Sequence, residues 1–305
     1  MSCSFGQVKT RHRFVLLVVA TLTVLACVRT ASAATPTPQE IARGRYIFGA
    51  TGGCGCHTVK GQSPNSGGRK YEGPFGTVYS SNITPDPKTG IGNWTDEQII
   101  TAIRLGRRPN GDRILPIHPF TVFNGMAEGD LRALVAFLRT VPPVMRPNTP
   151  KKVVPLFESV FLPAWLAAFA PRETPPAQAP TTGVARGEYL VRAVGHCGEC
   201  HSPRTLTYAT DNSRFLAGNP THPEGVAVPN ITPDRETGLT WSVEEIAEYL
   251  ATGNKPDGDV AGGLMGEVID GTITGYKDMT KSDLVAIAQY LKTLPPVRNK
   301  ITRSK

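Results

Sequence analysis

The chain has 305 residues, which is enough for two domains of ordinary size, and 40% of them are hydrophobic. Its formal net charge is +8, and four of the positive charges lie near the start, at Lys9, Arg11, Arg13 and Arg29. No basic stripe with interleaved aromatic residues follows, so composition and charge argue against a nucleic-acid-binding protein.

The first segment, residues 1–33, is typical of an export signal. A basic start precedes the apolar run Phe14–Ala26, and Ala31–Ala33 matches a small-residue cleavage site. We expect cleavage after Ala33, and the alternatives are a retained membrane anchor or lipidation at Cys27. Export would place the mature chain in the periplasm, which is an oxidising compartment.

After this leader the sequence is an internal duplication. Matching segments occur in the same order in both copies: Ala42–Tyr46 with Ala185–Tyr189, Asn82–Asp86 with Asn230–Asp234, and Leu138–Pro143 with Leu291–Pro296. A repeat this long indicates two whole domains rather than a solenoid. We predict a first domain over residues 38–144, a linker over 145–181 and a second domain over 182–298.

Each copy contains three predicted helices. The first leads into a Cys-His motif, the second follows a capping box that begins at Thr95 or Ser242, and the third ends at a Pro-Pro pair. Long loops rich in Gly and Pro separate them, so three helices alone make too sparse a core. The sequence therefore predicts an all-α fold in which a large apolar group fills the centre of each domain.

The first Cys-His motif, Gly52–His57, reads GGCGCH and is one residue short of the C-x-x-C-H sequence that attaches c-type haem. It lacks the counterpart of Glu199, so Cys54 and Cys56 lie two residues apart, roughly 200° around a helix. Cys56 and His57 keep the adjacency of attachment cysteine and axial ligand. We expect covalent haem held by one thioether through Cys56, or by two with a distorted turn; a haem-free disulfide or metal site is the alternative.

Over the second helix and the loop after it, the copies align without a gap, and His118 takes the place of Met265. We predict that these side chains are the sixth ligands of two haem irons, with His57 and His201 as the fifth. A second imidazole lowers the reduction potential and a thioether raises it, so the first haem should have the lower potential. The alternative is that His118 bonds at the surface and the iron takes Met126, water or nothing.

Two further methionines and two further histidines are predicted to have structural roles rather than to bind iron. Met126 and Met279 match each other just before the last helix, and we predict that both are core residues. His196 and His222 are predicted to lie at the surface rather than to bind iron.

The linker is rich in proline and contains the apolar stretch Val153–Ala170. We predict that Phe157, Phe161 and Trp165 pack across the junction of the domains. The alternative is a membrane-surface or partner-docking role.

The second Cys-His motif is complete. Cys197, Cys200 and His201 form C-x-x-C-H, with the two cysteines about one helical turn apart, so both sulfurs can face one edge of a haem. A thioredoxin-type dithiol would need a βαβ context, which the sequence lacks.

With these motifs the chain resembles the dihaem and trihaem c-type cytochromes, especially the cytochrome subunits of membrane-bound bacterial alcohol, gluconate and aldehyde dehydrogenases. The resemblance lies in segments 76–99, 230–246 and 283–297 and in the motif at 197–201. It implies two tandem cytochrome c domains that hold two covalent haem c groups. Cys197 and Cys200 would form the thioether bonds of the second haem. His201 and Met265 would be its axial ligands.

The resemblance also implies that Asn82 and Asn230 lie near the haems. Two departures matter: there is no third haem domain, and the first copy combines the shortened motif with His118 in place of Met.

The sequence therefore predicts an electron carrier rather than an enzyme. It would pass single electrons from a periplasmic or membrane-bound dehydrogenase to a quinone or terminal acceptor, with membrane association as an open alternative. The rival is a haem enzyme, such as a dihaem peroxidase or a thiosulfate-oxidising cytochrome, which would need an open iron position beside an acid or base. A binding or sensing module becomes the third hypothesis if His118 does not bind iron.

Overall fold

The computed structural model describes residues 35–53, 55–170, 174–220 and 225–302. The predicted export signal, His222 and Cys54 lie outside the described residues. The chain from Pro36 onward forms one compact unit. Within the described ranges, no helix combines the length and the apolar character needed to cross a membrane.

The first copy contains the three predicted helices and some shorter elements. Its elements are α1 (Pro38–Ala50), a 3₁₀ turn (Gly55–His57), β1 (Lys70–Gly73), β2 (Gly76–Tyr79), α2 (Asp96–Leu105), α3 (Phe120–Phe123) and α4 (Glu128–Leu138). The capping box that begins α2 is present, because Thr95 accepts from the backbone of Gln98 and the Gln98 side chain accepts from Thr95.

The linker and the second copy follow the same plan. Their elements are β3 (Lys152–Val153), a π turn (Phe157–Phe161), α5 (Leu162–Phe169), α6 (Gly183–Tyr189) with a π turn (Leu190–Val194), α7 (Cys197–His201), a 3₁₀ turn (Asn212–Arg214), α8 (Val243–Thr252), α9 (Gly263–Asp270), a 3₁₀ turn (Tyr276–Asp278) and α10 (Lys281–Thr293). The predicted capping box at Ser242 begins α8.

A small antiparallel sheet corrects the all-α prediction. Strands β1 and β2 form a hairpin with Lys70 opposite Tyr79, and β3 of the linker adds to β2 with Gly76 opposite Val153. The strands are so short that they show no usable alternation of polar and apolar residues. The fold is therefore mostly helical with one three-stranded sheet.

In each copy the first helix crosses the last helix at a glycine. A methyl group at Gly44 of α1 would lie 1.8 Å from the Ala133 oxygen of α4, and one at Gly187 of α6 would lie 1.9 Å from the Ala286 oxygen of α10. The repeated glycine thus allows the two backbones to touch.

The residues beside these glycines join the two copies. Arg43 and Arg186 each bind an aspartate of the last helix in their own copy, Asp130 at 2.8 Å and Asp283 at 2.7 Å. The tyrosines cross over: the Tyr46 hydroxyl donates to Asp283 at 2.6 Å, and the Tyr189 hydroxyl donates to Asp130 at 2.8 Å. Each copy therefore completes the polar cluster of the other.

The linker predictions are confirmed for one aromatic residue. Trp165 packs with Phe120 of the first copy and Ala209 of the second, and its indole N–H donates to the Thr207 oxygen at 3.0 Å. The other two predicted residues do not bridge the junction in the described contacts, since Phe157 packs edge-on against the hairpin residue Phe75 and in a tilted contact with Phe161. The predicted core methionines, Met126 and Met279, are both buried.

Candidate functional site

The first Cys-His motif places its imidazole by a backbone hydrogen bond. Cys56 and His57 lie on the 3₁₀ turn, and His57 Nδ1 is 2.7 Å from the Ser81 carbonyl oxygen. A carbonyl oxygen only accepts, so Nδ1 carries the proton and the lone pair of the ring is on Nε2. Burial lowers the pKa of His57, which keeps the imidazole neutral and able to bind a metal.

The second motif repeats this arrangement. His201 ends α7, and its Nδ1 is 2.8 Å from the Pro229 carbonyl oxygen. Ser81 and Pro229 occupy equivalent places, immediately before the repeated Asn-Ile-Thr-Pro-Asp segment. Sequence reasoning missed both oxygens, because a backbone carbonyl has no side-chain signature.

Asn82 and Asn230 hold those carbonyls in place. Each asparagine is buried and donates to the backbone after the last helix of its own copy, to the Val144 oxygen and the Val297 oxygen, both at 2.8 Å. Each also accepts from the threonine two residues later. These bonds give the two asparagines a positioning role next to the histidines.

A large cavity of about 1890 Å³ opens beside the first motif. This is well above the roughly 300–1,000 Å³ of ordinary small-molecule pockets. Cys56, His57 and His118 all line it, among apolar side chains such as Ile99 and Phe123. The sequence-predicted ligands of the first copy are thus brought to one cavity.

His118 is a neutral imidazole at ordinary pH. Burial and the nearby His57 lower its pKa to about 3. Its ring lies 5.6 Å from that of Phe123, which in turn lies 5.4 Å from the ring of His196. His118 is half-buried in the cavity wall and has a hydrogen bond with the Ile103 backbone, so its role as an iron ligand stays a prediction.

His196 corrects a second expectation. It was predicted to lie at the surface, but its ring packs on Phe123 of the other copy, and its Nε2 is 3.2 Å from the Thr51 oxygen. Burial lowers its pKa. His196 therefore lies in the junction of the copies, which its position one residue before a Cys-His motif did not indicate.

The cysteines of the second motif are partly buried thiols. Burial raises the pKa of Cys197 to about 11 and that of Cys200 to about 12, and the nearby Cys56 thiol adds to the shift of Cys200. Cys200 lines the same cavity as Cys56. The attachment sides of the two motifs thus approach each other across the junction.

Met265 lies on α9 and is partly buried against the main hydrophobic cluster, as is Cys197. On the same helix, Leu264, Glu267 and Val268 line the cavity of the first copy. His201 and Met265 are not part of that lining, so their pairing as axial ligands stays a prediction.

The donor sets fit a covalently attached haem. Such attachment needs a thiol beside a histidine whose Nε2 can reach iron, and both motifs supply these groups with the Nδ1 bond already made. The first copy adds a second neutral imidazole, in a cavity whose largely apolar walls come from both copies and the linker.

The chain is similar to several known cytochromes. It is 40% identical over 276 residues to a dihaem c-type cytochrome of Cereibacter sphaeroides, covering 85% of this chain and 87% of that protein. It is 38% identical over 268 residues to the cytochrome c subunit of a quinone alcohol dehydrogenase of Gluconobacter oxydans, covering 84% of this chain and 55% of the relative.

The cytochrome c subunit of gluconate 2-dehydrogenase from Pantoea cypripedii is 35% identical over 265 residues, covering 83% of this chain and 59% of the relative. The chain thus spans little more than half of these two dehydrogenase subunits. No protein-family model matches the chain.

Proposed function

The chain belongs to the dihaem c-type cytochromes, and from that membership we propose that it carries single electrons in the periplasm between a dehydrogenase and the respiratory chain. It holds two covalently bound haem c groups. Each haem supplies a one-electron iron couple, and the protein residues set its position and its potential.

The two matched Nδ1–carbonyl bonds carry this proposal. His57 and His201 are each held through Nδ1 at 2.7 and 2.8 Å, in equivalent parts of the two copies. A fixed imidazole cannot swing away from iron when the charge of the iron changes, and this lowers the cost of reorganisation in electron transfer. The duplication thus supports two carriers in one chain.

At the first haem, Cys56 would form the thioether bond and His57 and His118 would be the axial ligands. In the alternative with a distorted turn, Cys54 would form a second thioether bond. The neutral state of His118 and its place in the cavity support this assignment. At the second haem, Cys197 and Cys200 would form the bonds, and His201 and Met265 the axial pair. With both sixth positions filled, the iron would have no open site for peroxidase chemistry.

The partner is proposed from the relatives. Two of them are named as cytochrome c subunits of dehydrogenases, one of which is a quinone enzyme. We therefore propose a dehydrogenase as the electron donor and a quinone or terminal electron acceptor as the recipient. Membrane association would then come from the partner, the apolar linker or the leader.

Intact mass and electron paramagnetic resonance test the proposal together. Expression with the haem-attachment machinery should add the mass of two haems, and the ferric protein should show two low-spin signals of different ligand type. A redox titration should resolve two midpoints. A mass increase of only one haem would contradict the two-carrier proposal. A high-spin signal from an iron with an open position would also contradict it and would favour the haem-enzyme hypothesis.

A further inference from the structure

Arg108 brings a positive charge into the wall of the first cavity. Its guanidinium lines the cavity, and its Nη2 donates to Ser81 Oγ at 2.8 Å. The carbonyl of the same serine fixes His57. The charge lies close enough to His57 and His118 to contribute to the lowering of the pKa of both imidazoles.

This guanidinium has no ion pair within the described ranges. Burial lowers the pKa of Arg108, and the neighbouring Asp112 offsets only part of that effect. Asp112 makes its side-chain contact with Asn110 instead, at 2.8 Å. A half-buried cation without a carboxylate is costly, so the arrangement calls for an anion in the cavity.

The second copy uses the equivalent cation differently. Lys255 aligns with Arg108 and forms an ion pair with Asp259 in its own loop. Lys255 is not part of the lining of the large cavity, whereas Arg108 is. A cation at this position that lines the large cavity is thus found only in the first copy, as Arg108. This is also the copy with the shortened Cys-His motif and with His118 in place of Met.

We infer that Arg108 binds a propionate carboxylate of the first haem and raises the midpoint potential of that haem, an inference that rests on the proposed function. Haem propionates are the anions that covalent attachment at Cys56 would bring to this cavity. A guanidinium binds a carboxylate through charge-assisted hydrogen bonds and cannot lose its charge at ordinary pH. Close to the iron such a charge favours ferrous over ferric iron, which would oppose the lowering by a second imidazole.

Arg108→Gln tests this inference, and Arg107→Gln is the matched control, since Arg107 is the exposed neighbour in the same loop. In the full chain with both haems attached, Arg108→Gln should lower the midpoint potential of the first haem by at least about 59 mV. For one electron this corresponds to a tenfold change in the equilibrium constant of reduction. The second midpoint and both low-spin signals should stay unchanged. The resonance Raman band of propionate bending should shift in Arg108→Gln and stay unchanged in the control Arg107→Gln.

Arg108→Lys keeps the charge but loses the fork geometry, so its midpoint should fall by less and its haem should stay attached. Equal midpoints in Arg108→Gln and Arg107→Gln, with two haems counted by mass, would overturn the inference and leave the proposed function standing. If Arg108→Gln fails to retain the first haem, Arg108→Lys decides: an unchanged midpoint and Raman band there also overturn it. A wild-type chain with one haem would overturn both proposals.

Discussion

The proposed ligands His118 and Met265 would stabilise different oxidation states of iron, and this difference gives a prediction at the scale of one residue. His118→Met should raise the lower midpoint and leave the higher one unchanged, because a thioether favours ferrous iron. A redox titration followed by electron paramagnetic resonance would show the first low-spin signal change its type. If both midpoints and both signals stay as in the wild type, His118 is not a ligand.

The attachment at Cys56 gives a second residue-scale prediction. Cys56→Ser should lose the first haem, whereas Cys54→Ser should keep it, because only Cys56 lies next to His57. With one thioether, one vinyl group stays unsaturated, so the reduced pyridine complex should absorb to the red of the ordinary c-type band. Equal loss of haem in both variants would instead support two bonds and a distorted turn.

At the scale of single residues, the sequence identifies the side chains that can attach haem or bind iron. It does not identify backbone groups or the direction in which a side chain points. Cys56, His57 and His118 were predicted from motif and alignment, and the structure brings all three to one cavity. The carbonyl of Ser81 and the inward turn of Arg108 were not predicted, since the first has no side-chain signature and the second depends on tertiary packing.

Helix crossings give a prediction at the scale of elements. Gly44→Ala or Gly187→Ala should destabilise the protein by about 1–3 kcal/mol or more, because the added methyl would collide with a backbone oxygen of the partner helix and force the helices apart. Gly129→Ala is the control: it is exposed on α4 with nothing near the added methyl, and it should change stability by no more than about 1 kcal/mol, in the favourable direction. Denaturant unfolding followed by far-ultraviolet circular dichroism measures all three.

The aspartate at the start of α10 gives a pH-dependent prediction. Burial opposes the charge of Asp283, but hydrogen bonds from Arg186 and Tyr46 outweigh burial and lower the pKa of its carboxyl. Because the pKa of this carboxyl is lower in the folded state, its charged form stabilises the protein at pH values above the unfolded pKa near 3.8. This stabilisation is lost as the pH falls below that value and the carboxylate becomes protonated.

The free energy of unfolding of the wild type should therefore drop below about pH 4. Asp283→Asn should be less stable at pH 7 by about 1–3 kcal/mol and should lose part of that acid dependence. Asp270→Asn, at an exposed carboxylate, is the control and should keep the wild-type pH profile. An unchanged acid slope in Asp283→Asn would show that this cluster does not set it.

Elements with strong local signals were predictable and those with weak ones were not. The capping boxes at Thr95 and Ser242 and the proline stops gave α2, α8 and the ends of the last helices. The hairpin of β1 and β2 was missed because its strands are only four residues long, and β3 was missed because it pairs with β2 across a long stretch of sequence.

At the scale of the whole molecule, the duplication was visible in the sequence but its packing was not. The repeated Ala-Arg-Gly-x-Tyr segment reads as one motif, yet its arginine acts within a copy and its tyrosine acts between copies. The sequence of the segment fits a contact within one copy as well as a contact between copies, so only the tertiary structure distinguishes the two. The linker residue Trp165 adds a further contact to both copies.

The tyrosine exchange has the form of a symmetric homodimer interface, in which the same patch serves both partners. We therefore predict that the two copies behave as the halves of a tethered dimer, in which the linker would raise the effective concentration of one half for the other. Cleavage of the folded chain at a protease site inserted between Pro176 and Ala177, in an exposed stretch, should therefore leave the halves associated on size-exclusion chromatography. Tyr46→Phe combined with Tyr189→Phe should weaken that association, and halves that separate at once without these changes would show that the tether, and not the interface, holds the molecule together.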